Sequence, residues 1–122
     1  MGKKALTVDD SKTMRDMLSF TLKGAGFDVL EAEDGKHAIT VLGSNKMDVI
    51  ITDLNMPNMN GIELIKTLRA DPVHKFTPIL MLTTESDEGK KLEGKTVGAT
   101  GWIVKPFNPE KLIQVINKVC TG

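Results

Sequence analysis

Five short runs of apolar and β-branched residues alternate along this chain with longer segments of helical period. The runs are residues 5–8, 27–31, 49–52, 79–83 and 101–104. Such alternation predicts parallel strands joined by crossover helices. The third and fourth runs are apolar without a polar alternate, so helices must cover both faces of the sheet there. We therefore expect a doubly wound α/β sheet with these two strands near its centre.

Capping residues and apolar stripes mark the helices between the strands. Ser11, Asp34 and Asn108 are predicted caps, because their side chains can accept hydrogen bonds from the free N–H groups of a first turn. Pro109 suits the first position of the last helix, where its missing N–H costs little. The predicted stripes are Met14, Leu18, Leu22 and Ala25 in the first helix and Leu112, Ile113, Ile116, Val119 and Cys120 in the last.

The fourth helix, between residues 85 and 97, has the weakest pattern. Gly89 and Gly94 each cost about 1 kcal/mol relative to alanine in a helix interior. We expect this helix to be short or mobile.

Charge and hydropathy point to no membrane or nucleic-acid partner. Sixteen basic residues balance sixteen acidic ones among 122 residues, which gives a formal net charge of zero. The first apolar stretch breaks at Asp9 and Asp10, too early for a signal peptide or a membrane span. We expect one cytoplasmic domain over residues 1–122.

The cysteine and the two histidines suggest no site of their own. Cys120 is the only cysteine, so an internal disulfide is excluded, and its helical apolar pattern predicts a core position. His37 and His74 are predicted to be surface residues without other metal ligands nearby.

Polar residues stand at the ends of four predicted strands. Asp9 and Asp10 follow the first, Asp53 ends the third, Thr83 ends the fourth and Lys105 follows the fifth. Ligands of doubly wound sheets bind at the carboxyl ends of the strands, so we expect these five side chains to converge. Each aspartate alone is more typical of a cap or turn. Together, three close carboxylates require protonation of one of them or a hard cation, and we favour Mg²⁺.

The same set suits phosphoryl transfer. The carboxylate of Asp53 can act as nucleophile, while Lys105 and Thr83 neutralise and hydrogen-bond the transferred oxygens. The backbone carbonyl of Asn55 can supply a further metal ligand. Pro106 follows Lys105, and a cis peptide bond there could aim the ammonium group into the site, although a trans turn is an open alternative.

These residues lie in four segments that resemble CheY-like receiver domains of two-component signalling. The segments are VDDS at 8–11, DLNMPNMNG at 53–61, LTT at 82–84 and GATGWIVKPF at 98–107, and they occur in the expected order. The resemblance covers essentially the whole chain. It implies a flavodoxin-like, doubly wound sheet of five parallel strands in the order 2-1-3-4-5, with five helices on its two faces.

The resemblance also implies roles for the site residues. Asp53 would accept a phosphoryl group from a histidine kinase, with Mg²⁺ held by Asp10, Asp53 and the carbonyl of Asn55, and with Asp9 assisting. The protein would catalyse only its own phosphorylation and dephosphorylation, and is therefore expected to be a signalling receiver and not an enzyme.

A switch is implied as well. Thr83 and Lys105 would read the phosphoryl state, and Trp102 on the fifth strand would swing inward behind Thr83. Receivers more usually carry tyrosine or phenylalanine at that position, and simple packing is the alternative role of Trp102. Asn55 and Glu85 would border the path of the hydrolytic water.

The implied partners are proteins. A CheA-type histidine kinase would donate the phosphoryl group. Because nothing follows the last helix, the monomer would signal by docking to a flagellar motor switch protein or a phosphatase in chemotaxis. The alternative is a phosphate sink or a receiver outside chemotaxis.

Three other kinds of protein share the architecture or part of the chemistry. A flavodoxin-like cofactor binder would have hydroxyls and N–H groups after strand one, where this chain has two aspartates. An aspartyl-phosphate phosphohydrolase would have Asp-x-Asp, whereas Leu54 and Asn55 follow Asp53. A pseudo-receiver without phosphorylation is disfavoured by the intact set of five polar residues.

Overall fold

The computed structural model describes residues 3–54, 56, 58–83, 88–105 and 107–120. Strands and helices alternate through these residues as predicted. They are β1 Lys3–Val8, α1 Lys12–Gly24, β2 Phe27–Ala32, α2 Gly35–Leu42, β3 Val49–Asp53, α3 Gly61–Arg69, β4 Ile79–Thr83, α4 Glu88–Val97, β5 Gly101–Val104 and α5 Pro109–Val119. The predicted strands differ from these only by two residues at the start of β1 and one at the ends of β2 and β3.

The strands form one parallel sheet in the order β2-β1-β3-β4-β5. This confirms the expected order, with β3 at the centre. Every residue of β3 and β4 is buried, as their unbroken apolar sequences predict. In the register of the sheet, Val8 lies beside Thr52 and Asp53 beside Leu82. The carboxyl ends of β1, β3 and β4 therefore meet at one edge.

Two apolar clusters cover the two faces of the sheet. One packs α2, α3 and α4 on the sheet, and the other packs α1 and α5 on the opposite face. The predicted stripe residues Leu18, Leu22, Leu112 and Ile116 are completely buried in the second cluster. Cys120 is half-buried against the same cluster, and its S–H group donates to the Asp48 carbonyl at 3.3 Å.

The predicted caps are present at the helix starts. Ser11 accepts from the Met14 N–H, Asp34 from the His37 N–H, and Asn108 from the N–H groups of Glu110 and Lys111. Where the chain leaves α1, Gly26 has a φ of 93°, the left-handed conformation that glycine permits. No helix among residues the structure describes combines the length and apolar character needed to cross a membrane.

Of the two alternatives expected for α4, short or mobile, the structure does not bear out the first. It contains ten residues, against eight in α2 and nine in α3. Gly94 allows α4 to pack closely on the sheet, because a Cβ at this position would overlap Cε and Sδ at the end of the Met81 side chain, which is completely buried in β4. The helix propensity lost at Gly94 is thus offset by the approach of α4 to the sheet. The mobility of α4 stays a prediction.

We expect Gly94→Ala to destabilise the protein by about 1–3 kcal/mol, because overpacking against Met81 outweighs the gain in helix propensity. Gly24 is the matched control: it ends α1, and a Cβ added there would meet nothing within 4 Å. Gly24→Ala should leave stability unchanged or raise it by up to about 1 kcal/mol. Urea denaturation measures both changes. Equal stability of the two variants would contradict the packing role of Gly94.

The prediction that His74 is a surface residue was wrong, since it is only 1% exposed. Arg69 causes this by binding the loop between α3 and β4: its Nη1 donates to the carbonyls of His74 at 2.9 Å and Thr77 at 2.7 Å. Its Nε donates to the Gly98 carbonyl at 2.9 Å, which ties the loop to the turn between α4 and β5. The loop is therefore folded inward. His37, in contrast, is exposed as predicted.

Candidate functional site

Three carboxylates meet at the carboxyl edge of the sheet. Asp9 and Asp10 follow β1, and Asp53 ends β3. One oxygen from each side chain lies within 4.8 Å of the others. Asp9 and Asp53 are buried, at 1% and 6% exposure, and Asp10 is exposed. The register of parallel strands thus brings together side chains that are 44 positions apart in the sequence (53 − 9).

Lys105 lies between two of these carboxylates. Its Nζ is 3.1 Å from Oδ1 of Asp53 and 3.4 Å from Oδ2 of Asp9. The backbone N–H of Lys105 donates to the Thr83 carbonyl at 2.7 Å, which fixes the end of β5 beside the end of β4. The cation is therefore placed by the sheet itself, and it neutralises only part of the negative charge of the cluster.

The environment of Asp53 disfavours its charged form. Burial raises the pKa of this carboxyl group above its usual range, and the negative charge of Asp9 raises it further. Lys105 and the Leu54 N–H, which donates to Oδ1 at 2.9 Å, act in the opposite direction without cancelling the effect. A dication at the cluster would relieve the same repulsion.

One carboxylate oxygen of Asp9 is in ion-pair contact with Lys105 but has no hydrogen bond among the described residues. Its Oδ1 accepts a hydrogen bond from the Ser11 N–H at 2.9 Å, which orients the carboxylate. Its Oδ2 is buried and accepts no hydrogen bond from the residues described, although Lys105 is close by. A buried carboxylate oxygen without a donor is costly unless a cation satisfies it. The three carboxylates therefore fit a hard divalent ion such as Mg²⁺.

Sequence reasoning missed Arg15. Its Nη1 donates to the backbone carbonyl of Asp9 at 2.6 Å, and its Nε lies 3.3 Å from Oε1 of Glu31. Ser19 in turn donates to Oε2 of Glu31 at 2.9 Å. This chain of contacts holds the turn after β1. The available signal was the position of Arg15 in the first turn of α1, because helical side chains point back toward the N-terminus of their helix.

The proposed switch residues lie on neighbouring strands. Thr83 is the last residue of β4, is 1% exposed and pairs with Val104 of β5. Trp102, also on β5, is 37% exposed, and Nζ of Lys91 from α4 lies 5.6 Å from its ring. That distance is within the range of a cation–π contact. The three remaining predicted site residues, Asn55, Glu85 and Pro106, lie outside the described residues.

The arrangement offers a nucleophile, a cation-binding set and a positive charge at one edge. The Asp53 carboxylate can attack phosphorus, and Lys105 and a bound dication can neutralise the oxygens that arrive. Parallel sheets place ligand-binding sites at this edge in many unrelated proteins, so the position alone does not identify the chemistry.

Comparison with known proteins gives a consistent result. The family model of the response regulator receiver domain matches residues 5–117. The chain is 45% identical over 118 residues to the chemotaxis protein CheY1 of Helicobacter pylori, covering 95% of each. It is similar to the solved structure of the chemotaxis response regulator CheY4 of Vibrio cholerae, with 52% identity, a TM-score of 0.92 and coverage of 98% and 99%.

A longer relative is also similar to the chain. It is 39% identical over 119 residues to the phosphate regulon transcriptional regulatory protein PhoB of Pseudomonas aeruginosa. That match covers 98% of this chain but 52% of PhoB, so the chain spans about half of that relative.

Proposed function

The chain belongs to the response regulator receiver domain family, and we propose that it is an Mg²⁺-dependent phosphoacceptor that receives a phosphoryl group on Asp53 from a histidine kinase. The observation that carries this proposal is the position of Lys105 Nζ, 3.1 Å from Asp53 and 3.4 Å from Asp9, beside three clustered carboxylates. A buried carboxylate beside a fixed cation is a suitable nucleophile for a group that arrives with negative charge.

The transfer step follows from these positions. An oxygen of Asp53 attacks the phosphorus of a phosphohistidine, so that an O–P bond forms while the P–N bond breaks and the imidazole nitrogen keeps the electron pair. Lys105 binds one of the phosphoryl oxygens, and the Thr83 hydroxyl donates to another. Asp9, Asp10, Asp53 and the carbonyl of Asn55 would hold Mg²⁺, which would supply further neutralisation of the phosphoryl charge.

Release of the phosphoryl group completes the cycle. Water attacks the phosphorus of the aspartyl phosphate, the O–P bond to Asp53 breaks, and the free carboxylate and inorganic phosphate are formed. Asn55 and Glu85 border the approach of this water in the proposal. Such turnover suits a short-lived signal, and a phosphoryl lifetime of many hours in the purified protein would contradict it.

The proposed output is docking of the face formed by α4, β5 and α5 to another protein. Thr83 moves toward the phosphoryl group, and Trp102 moves inward behind it. In the present structure Trp102 is partly exposed, with Lys91 beside its ring. We take this outward position as the starting point of the proposed inward movement. A partner that prefers one arrangement shifts the equilibrium by its differential affinity for the two.

A role in chemotaxis is supported by the relatives. Chemotaxis proteins cover the chain almost end to end at 45% and 52% identity. We propose a CheA-type kinase as donor and a flagellar motor switch protein or a phosphatase as the docking partner of a cytoplasmic monomer. A phosphate sink is the second candidate, and it would exchange phosphoryl groups with the kinase without binding a motor protein.

The test uses Trp102, the only tryptophan, as a fluorescent reporter. Mg²⁺ followed by beryllofluoride should change the emission of Trp102 in the wild-type protein, because the analogue occupies the phosphoryl position on Asp53. Asp53→Asn should remove the response to beryllofluoride. An equal response in the variant would contradict the proposal. Multiple turnover of a small phosphate ester, abolished by the same substitution, would identify a phosphohydrolase instead.

A further inference from the structure

The tip of the loop between β3 and α3 is attached to the start of α2. Nδ2 of Asn58 donates to Oδ2 of Asp34 at 2.9 Å, while Oδ1 of Asp34 accepts from the His37 N–H at 2.8 Å. The two oxygens of one carboxylate therefore have separate tasks: one caps α2 and the other holds the loop. Asp34 is only 7% exposed, so water competes poorly for either bond.

A second contact lies directly beside this hydrogen bond. A Cβ at Gly35 would lie 2.7 Å from Cβ and Cγ of Met59 and 2.8 Å from its carbonyl oxygen, so only glycine permits the approach. Asn58 itself has a φ of 67°, a left-handed conformation that asparagine tolerates better than most residues. Asn58 and Met59 are thus held in place by two adjacent contacts.

The base of the same loop rests on the phosphoacceptor strand. The Gly61 N–H donates to the Leu54 carbonyl at 3.0 Å, which closes the loop. A Cβ at Gly61 would overlap the carbonyl oxygen of Asp53, so the start of α3 packs directly on the end of β3. The loop is fixed at its base by Asp53 and Leu54 and at its tip by Asp34.

We propose that Asp34 and Asn58 are positioning residues for the metal site, and that their hydrogen bond raises the affinity for Mg²⁺ by fixing the loop whose base packs on Asp53. This inference rests on the proposed function, in which Asp53 is a metal ligand. A loop ordered before binding loses little conformational freedom when the ion arrives, whereas a loose loop must be ordered by the ion. Partners that orient the ligands of a metal commonly change its affinity by about 10–100-fold.

The sequence permits a reciprocal exchange of donor and acceptor. In Asp34→Asn, the amide oxygen can still cap α2, and the bond to the loop becomes a weaker neutral one in which Asn58 turns its amide oxygen toward the new Nδ2 group. In Asn58→Asp, two carboxylates face each other. In the double variant, the amide of residue 34 can donate to the carboxylate of residue 58, which restores the bond with the net charge of the wild type.

The measurement is the dissociation constant of Mg²⁺ by isothermal titration calorimetry. We expect Asn58→Asp to bind Mg²⁺ about tenfold more weakly than the wild type, and the double variant to recover most of that loss. Asp34→Asn should lose less affinity, because a neutral hydrogen bond can replace the charge-assisted one. Glu33→Gln is the charge control, because it removes a negative charge from an exposed side chain next to Asp34. It should bind Mg²⁺ nearly as the wild type does. Melting temperatures without Mg²⁺ report any purely structural effect.

The outcomes separate the two proposals. If Asn58→Asp binds Mg²⁺ no more weakly than the wild type, or if the double variant fails to recover affinity, the positioning role is wrong. A change in melting temperature with unchanged Mg²⁺ affinity would likewise contradict it, because the hydrogen bond between Asn58 and Asp34 would then only stabilise the fold. Failure of the wild-type protein to bind Mg²⁺ would overturn the proposed function itself.

Discussion

Asp53→Asn is expected to abolish phosphorylation and, at neutral pH, to raise the melting temperature by a few degrees. The first effect follows because the amide of asparagine cannot replace a carboxylate nucleophile. The second follows because burial and Asp9 raise the pKa of Asp53, which makes its charged form a cost to the folded state. Incubation with Mg²⁺ and a small phosphodonor, followed by intact-protein mass spectrometry and thermal denaturation, measures both.

The sign of the stability change can be checked by pH. A carboxyl group whose pKa is higher in the folded than in the unfolded protein binds a proton more tightly when folded, so stability rises as the pH falls through its folded pKa. The advantage of Asp53→Asn over the wild type should therefore shrink between neutral and mildly acidic pH. Asp10→Asn is the matched control, because Asp10 belongs to the same cluster but is exposed, so its neutralisation should stabilise the fold less.

Two results would contradict this account of Asp53. Stoichiometric phosphorylation of Asp53→Asn would place the acceptor at another residue. A lower melting temperature at neutral pH would mean that the attraction of Lys105 outweighs burial and the repulsion of Asp9, contrary to the raised pKa.

The strands and the main site residues could be predicted from the sequence because both depend on local patterns. A parallel strand that is buried on both faces is apolar over most of its length, and residues 49–51 of β3 and 79–82 of β4 are the clearest such runs in the chain. Once the strands are placed, the residues that follow them must lie at one edge, whatever the details of packing. That is why Asp9, Asp53 and Lys105 could be brought together before any distance was known.

Features that depend on contacts between distant segments could not be predicted in this way. His74 is buried because Arg69 binds the carbonyls of its loop, and no pattern in the neighbouring sequence predicts that contact. Helix propensity is a local quantity, and it predicts that Gly94 weakens α4. The packing of Gly94 against Met81 depends on a distant segment, so the local sequence does not predict it. The bond between Asp34 and Asn58 joins residues 24 positions apart, and only the cap at Asp34 had a local signal.

The carboxylates of Asp9, Asp10 and Asp53 carry more negative charge than Lys105 can neutralise. Within the described residues, Lys105 is the one side-chain cation in ion-pair contact with Asp9 or Asp53. Asp9 retains a buried oxygen without a hydrogen bond. We therefore expect a further cation to stabilise the protein, because an ion that binds only the folded state adds to stability by mass action.

Lys105→Met is expected to destabilise the protein in the absence of Mg²⁺ by about 2–4 kcal/mol. Breaking a buried ion pair by removing one partner costs roughly 3–5 kcal/mol, and the partial exposure of the Lys105 side chain reduces that figure. Urea denaturation measures the change. Lys105→Arg, which keeps the positive charge, is the control and should lose much less.

Three further conditions identify repulsion between the carboxylates as the cause of that loss. Adding Asp53→Asn to Lys105→Met should restore most of the stability, because the two neighbouring charges are then reduced to one. Mg²⁺ should stabilise Lys105→Met more than the wild type, because the ion then meets a larger excess of negative charge. Mild acid should also reduce the difference in stability between Lys105→Met and the wild type. Without Lys105 the pKa of Asp53 rises further, so a proton replaces the missing cation. Equal destabilisation under all three conditions would show that Lys105 acts through packing of its aliphatic stem instead of through its charge.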